Sequence, residues 1–273
     1  MRHFLAKRRL SLLVMLVITV LVISACGNQQ ANKDSGPKGE TVELTVSAAA
    51  SLTDALQEIQ KNYEAKTSGV KLHFNFGASG ALQQQIEQGA PVDLFLSAAS
   101  KNMKALVDKK LVAPDQEKNL LANELTVITA ADTSMSVQEA KDLLKAEIQK
   151  IAIGIPESVP AGKYAQEALT GAGVWDEIQS KLVQAKDVRQ VLQYVQTGNA
   201  DAGFVYKTDA LTTNQVKIAY NVDPTLYTPI TYPIGIVQAT THATEAEQLY
   251  DYLQSKDAMD VFVKYGFSTP HSK

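Results

Sequence analysis

Beyond residue 41, the apolar residues of this 273-residue chain keep switching period, from two to about 3.6 and back. Val42, Leu44 and Val46 alternate with polar neighbours, which turns every second side chain to one face of a strand. Leu52, Ala55, Leu56, Ile59 and Tyr63 then share one face of a helix. Leu72, Phe74 and Phe76 restore the two-residue period, residues 81–88 read as helix, and 92–96 form a short apolar run of strand length. The runs 125–128, 151–154 and 202–205 resemble that last strand. Helices are expected at 137–146, 161–169, 188–196, 245–253 and 258–264. Strands joined through helices pair in parallel, so this alternation predicts an α/β chain with mostly parallel sheets flanked by helices.

The N-terminus follows another rule. Arg2, Lys7, Arg8 and Arg9 precede an apolar run over residues 10–23, and Ser24 and Ala25 stand before Cys26. A basic start, a short apolar core and small residues at the cut have the layout of a secretory signal peptide, expected here over 1–25. The ~14 apolar residues fall short of the ~20 that span a bilayer. Cys26 is the only cysteine, so it has neither a disulfide partner nor a second thiol to share a metal. Residues 23–26 resemble a bacterial lipobox, which implies cleavage before Cys26 and acylation of its sulfur. The competing reading is an ordinary signal peptide with an incidental cysteine. Residues 27–39 (GNQQANKDSGPKG) offer almost nothing apolar to bury, so 26–39 reads as a lipid-anchored flexible tether.

Without the four basic residues of the leader, 22 Lys and Arg remain against 29 Asp and Glu, a formal charge near −7. The basic residues are scattered singly, which argues against nucleic acid as a partner. The 234 residues after the tether suffice for two small lobes or one large domain, stabilised by ordinary cores because no disulfide is available.

The chemistry falls in turns between strands and helices. Ser51 follows a strand and the small run Ala48, Ala49, Ala50, with Asp54 three residues on. Ser79 sits in GASG at 77–80, Ala161 and Gly162 follow Pro160, and Val188 follows Asp187, with Gln190 three residues beyond that acid. Each is a helix start, where backbone N–H groups lack intrahelical acceptors and the dipole favours negative charge. Small residues let an anion reach the backbone, serine hydroxyls add donors, and Tyr206 at a strand end offers one more. Taken singly, such serines are mostly helix caps; spacing alone does not say whether the four turns converge.

The runs SAAASLT (47–53), GAPVDLFLSA (89–98), VPAG (159–162) with Tyr164, DVR (187–189), VY (205–206) and KYGF (264–267) resemble the bacterial molybdate-binding proteins of ABC importers. The resemblance covers residues 42–267. It implies a two-lobed type II periplasmic-binding-protein fold with a hinge: lobe I from 40–122 and 236–273, lobe II from 123–235, with crossings near 122–126 and 232–237. It also implies an oxyanion, molybdate or tungstate, held by Ser51 and Ser79 from lobe I and by Ala161, Val188 and Tyr206 from lobe II. The expected partners are a membrane permease and, through Cys26, the outer face of the cell membrane. A monomer without cofactor, cation site or enzymatic activity is expected.

Departures and rivals sharpen these expectations. Asp187 beside a dianion is expected to cap its helix and point away, and Arg189 is left outside the site because helical spacing could send it to solvent. Asp93 is expected to cap a helix or anchor a loop. Sulfate or phosphate is the nearest rival ligand. A hydrolase using Ser79 lacks the glycine two residues on, which is Ala81, and finds histidines only at His3, His73, His242 and His271. Clustered Tyr, His and carboxylates for ferric ion, or spaced Cys and His for zinc, are not evident.

Overall fold

A computed structural model describes residues 41–270; the expected signal segment, Cys26 and its tether, and His271 lie outside them. Two five-stranded sheets carry the chain, with strand orders β2-β1-β3-β10-β4 and β7-β6-β8-β5-β9. The first contains β1 (Val42–Ala49), β2 (Val70–Gly77), β3 (Leu94–Leu96), β4 (Val112–Ala122) and β10 (Thr231–Val237). The second contains β5 (Leu125–Ala130), β6 (Ile151–Gly154), β7 (Leu182–Ala185), β8 (Ala202–Tyr206) and β9 (Val216–Asn221).

In each sheet four strands run one way and one is reversed. Strand β10 is antiparallel to β3 and β4, and β5 is antiparallel to β8 and β9, while β1, β2, β3 and β6, β7, β8 pair in parallel. The reversed strands are the ones entered directly from the other sheet. Strand β4 passes to β5 through Asn123 and Glu124 alone, and β9 returns to β10 through residues 222–230. Because β10 lies wholly in the first sheet from Thr231, that return lies upstream of the expected crossing at 232–237.

Helices cover the sheets: α1 (Thr53–Lys66), α2 (Ser79–Glu87), α3 (Ser100–Asp108), α4 (Pro160–Gly171), α5 (Trp175–Ile178), α6 (Val188–Gln196), α7 (Lys207–Ala210), α8 (Ala243–Leu253) and α9 (Lys256–Lys264). The last two pack back on the first sheet and on α1. Central strands β6 and β8 are buried at every residue, which explains their unbroken small and apolar sequence. Helix α6 turns Val188, Val191, Leu192 and Val195 inward at the expected spacing.

The expected helix at 137–146 shrinks to a 3-10 turn over Ala140–Leu144. Val137 and Leu143 are buried as the apolar spacing implied, and Asp142 Oδ2 takes the Gln138 N–H at 2.8 Å ahead of the turn. Strands β4, β7 and β9 were not evident in the sequence. All three are sheet edges, where one flank meets solvent and polar residues cost little. Strand β4 even carries Pro114, which an edge tolerates.

Candidate anion site

Ser51, Ser79, Ala161, Val188 and Tyr206 line one cavity between the two sheets, of about 210 Å³. Every other lining residue is Ala, Gly, Val or Pro, so among the described residues no carboxylate, lysine, arginine or histidine faces it. Two larger hollows, of about 830 and 1050 Å³, contain none of the five and no comparable ring of helix starts. The enclosure is tight: the room it leaves for a water-sized sphere is about 10 Å³, far below the roughly 300–1000 Å³ of pockets for organic ligands.

Each residue reaches the cavity by a local device. Ser51 lies in a 3-10 turn, Ala50–Leu52, that feeds α1, and Ser79 is the first residue of α2. Ala161 follows Pro160 at the start of α4; proline wastes no N–H there and presets the helical φ. Gly162 lets that helix rest on the end of β6, because a Cβ would stand 1.9 Å from Gly154 O. Val188 opens α6, capped by Asp187, whose Oδ1 accepts from Gln190 N at 2.9 Å, as expected of that acid. Among the described residues, the N–H groups of Ser51, Ser79, Ala161 and Val188 find no backbone or side-chain acceptor outside their own helices.

The hydroxyls add to this ring of donors. Ala98 N–H donates to Ser79 Oγ at 2.9 Å, which engages the oxygen and leaves the serine proton for the cavity. Ser51 Oγ lies 2.9 Å from Tyr232 Oη. Tyr206 Oη is buried beside the Tyr232 hydroxyl and makes no aligned hydrogen bond among the described residues. Burial, with Tyr232, Tyr164 and Asp209 nearby, pushes the Tyr206 hydroxyl well above its usual range, so it keeps its proton and can donate.

Arg189 does not run to solvent. Its Nη2 lies 2.6 Å from Asp54 Oδ2 on α1, and its Nε lies 2.7 Å from Asp209 Oδ1 on α7. The Nε–Asp209 approach is an ion pair without hydrogen-bond alignment, since both atoms lack a partner by angle. Asp209 is fully buried, and that burial pushes its carboxyl up to about 6 although Arg189 and the Tyr206 N–H pull the other way. Two neutral contacts also join the halves: Gly80 N–H donates to Ser158 O at 3.0 Å, and Tyr164 Oη donates to Ala98 O at 3.3 Å.

Ser79 Oγ meets a backbone N–H and no base, while His73 pairs with Glu43 at 3.4 Å on the surface. Asp93 anchors a loop by accepting from Thr45 N at 2.7 Å and from Thr240 Oγ1. Among the described residues, no group of three or more His, Cys, Asp or Glu is placed to hold a metal ion. Sequence reasoning missed Ala98, which lines the cavity and bonds Ser79, and Asn123 and Tyr232, which act behind the lining; only the contacts reveal them.

Two hinged α/β halves that meet on an uncharged, donor-lined cavity define the class of two-lobed periplasmic-type binding proteins. The chain belongs to the bacterial extracellular solute-binding protein family, whose sequence profile matches residues 44–268. It is 47% identical over 261 residues to the putative ABC transporter substrate-binding lipoprotein YvgL of Bacillus subtilis, covering 96% of this chain and 98% of that one. It is 38% identical over 231 residues to the molybdate-binding protein ModA of Haemophilus influenzae, covering 84% and 91% respectively. The periplasmic molybdate-binding protein of Azotobacter vinelandii superposes with a TM-score of 0.77 at 25% identity, over 84% of this chain and all of that one.

Proposed function

We propose that the protein is the substrate-binding component of an ABC importer, capturing molybdate, and tungstate with it, and delivering the ion to a membrane permease. One observation carries this reading: the five residues from two sheets share a single cavity that carries donors and no charge. Molybdate and tungstate are fully deprotonated tetrahedral dianions at neutral pH, so every oxygen accepts. Hydrogen phosphate would press an O–H against a donor, a buried mispairing worth about 1–3 kcal/mol. Sulfate also only accepts, so only its shorter bonds, which set its oxygens farther from the donors, would separate it from the larger ion.

Ser51 and Ser79 bind from one lobe, and Ala161, Val188 and Tyr206 from the other. The lobes meet at two crossings, 123–124 and 222–230, and the ion favours the closed state because it then touches both. The mature monomer begins at Cys26, whose lipid holds it at the extracytoplasmic face of the cell membrane while 27–39 gives it reach. A single acyl chain anchors weakly, so the reading calls for a multiply acylated cysteine.

A thermal-shift panel of molybdate, tungstate, sulfate, phosphate and ferric ion tests the ligand. Molybdate and tungstate should raise the melting temperature by mass action at concentrations where the other three do not. A shift with phosphate or ferric ion alone would discard the reading. Mass spectrometry of the membrane-extracted protein tests the anchor: an unmodified Cys26 would discard it.

A further inference from the structure

Behind the cavity, Tyr232 and Asn123 determine where the Ser51 hydroxyl sends its proton. Tyr232 lies in β10, 1% exposed, with its ring edge-on to Phe267 at 5.3 Å and to Tyr206 at 5.8 Å. Its Oη makes two aligned hydrogen bonds, with Asn123 Nδ2 at 3.2 Å and Ser51 Oγ at 2.9 Å. Other contacts orient the Asn123 amide: Oδ1 accepts from Glu124 N at 2.9 Å, and Nδ2 also donates to Thr208 Oγ1 at 2.9 Å.

An amide nitrogen only donates, so Tyr232 Oη accepts from Asn123. The phenolic proton then has one acceptor in hydrogen-bond alignment, Ser51 Oγ, because the nearby Tyr206 hydroxyl makes no aligned hydrogen bond among the described residues. Were Ser51 to donate to Tyr232 instead, the tyrosine proton would be stranded in a buried site. Tyr232 therefore donates to Ser51, occupies its oxygen and leaves the serine proton facing the cavity. Ala98 N–H sets Ser79 in the same way.

We propose that Tyr232, oriented by Asn123, is a specificity-determining positioning residue that locks Ser51 as a donor and so turns away oxyanions carrying a proton. The inference rests on the oxyanion reading above and adds what enforces its selectivity. An acceptor-only dianion meets a donor at Ser51. Hydrogen phosphate needs somewhere to place its own O–H, and Tyr232 has already taken that place.

The test is calorimetry of wild type, Tyr232→Phe and Asn123→Asp with molybdate, and with phosphate either titrated directly or read by displacement of molybdate. Tyr232→Phe keeps the ring and frees the Ser51 oxygen to accept. Asn123→Asp gives the tyrosine proton a carboxylate to bond, which reverses the chain without touching the ring. Both ligands are predominantly dianions at pH 8, so the added charge weakens both and the ratio of their dissociation constants still reports the hydrogen-bond direction. Each variant should narrow the phosphate-to-molybdate ratio by roughly tenfold relative to wild type, the scale of one mispaired buried group. A ratio unchanged in both variants, with both ions weakened equally or phosphate displacing nothing, overturns the inference and leaves Tyr232 a packing residue. Wild type that takes up no molybdate overturns the oxyanion reading itself, and the inference with it.

Discussion

Arg189 and Asp54 meet at 2.6 Å across the gap between the two sheets, one residue beyond Val188 and three beyond Ser51. The contact joins α6 to α1 immediately beside the anion cavity. The same guanidinium faces the fully buried Asp209 on its own side of the cleft. Arg189 thus balances one charge within its half and reaches for another in the opposite half.

Those two tasks should separate by mutation. Asp54 is 37% exposed, so Asp54→Asn should cost the closed state only about 0.2–1 kcal/mol, at most about a fivefold loss of anion affinity, with little change in unfolding. Arg189→Met strands Asp209 in the interior and should lower unfolding free energy by about 3–5 kcal/mol at pH 7. The sign with pH follows from a native carboxyl raised to about 6 above its ordinary 3.8. Native protein then holds the proton more tightly, so stability is highest below pH 4 on this account and is lost as pH rises through 6. Urea titrations of the variant at pH 4.5 and 7.5 check this; equal deficits at both would show that Asp209 is not the cause.

Ser51→Ala and Ser79→Ala should each weaken molybdate binding by about 10- to 100-fold, since each removes a hydrogen bond to a buried charge worth about 1.5–3 kcal/mol. Unchanged affinity in both variants, measured by equilibrium dialysis, would remove these serines from the site.

Gly80→Ala offers a block to closure. A Cβ there would stand 2.6 Å from Ser158 O on the opposing half, and backbone cannot yield as a side chain can. Affinity should fall while the melting temperature of the ligand-free protein holds, and small-angle scattering with molybdate should report a more open particle than wild type. A wild-type profile with wild-type affinity would show that this contact does not limit closure.

Glu64 provides a pH test remote from the site. Burial alone would raise its carboxyl, but the Leu72 N–H at 3.0 Å, Lys71 at 2.6 Å and Gln60 at 2.9 Å outweigh that and hold it at about 2. A depressed carboxyl stabilises the fold above its unfolded value and loses that contribution as pH falls. Glu64→Gln should therefore be less stable than wild type at pH 7, with the gap closing between pH 4.5 and 2. A gap independent of pH would place the effect in packing.

The sequence made the central strands and the helix starts legible because burial on both faces leaves apolar runs, and small residues mark each turn. Residues 151–154 and 202–205 met β6 and β8 almost residue for residue. The edge strands stayed hidden because β4, β7 and β9 need no such runs. Strand β10 misled for a different reason: Tyr232 and Pro233 interrupt its period at a register shift, so a central strand resembled a connection between lobes. Helix starts could be nominated one at a time, but their convergence on one cavity depends on two sheets closing, and no local pattern encodes that. The partner of Arg189 is not legible in the sequence, because a 3.6 period fixes its azimuth and not what it meets.

Isothermal titration of molybdate into the mature protein tests the central claim most directly. A single saturable site should appear, with its heat strongly reduced in the Ser51→Ala/Ser79→Ala double variant while that variant stays folded by circular dichroism. Full wild-type affinity in the double variant, or binding of phosphate in place of molybdate, would contradict the account.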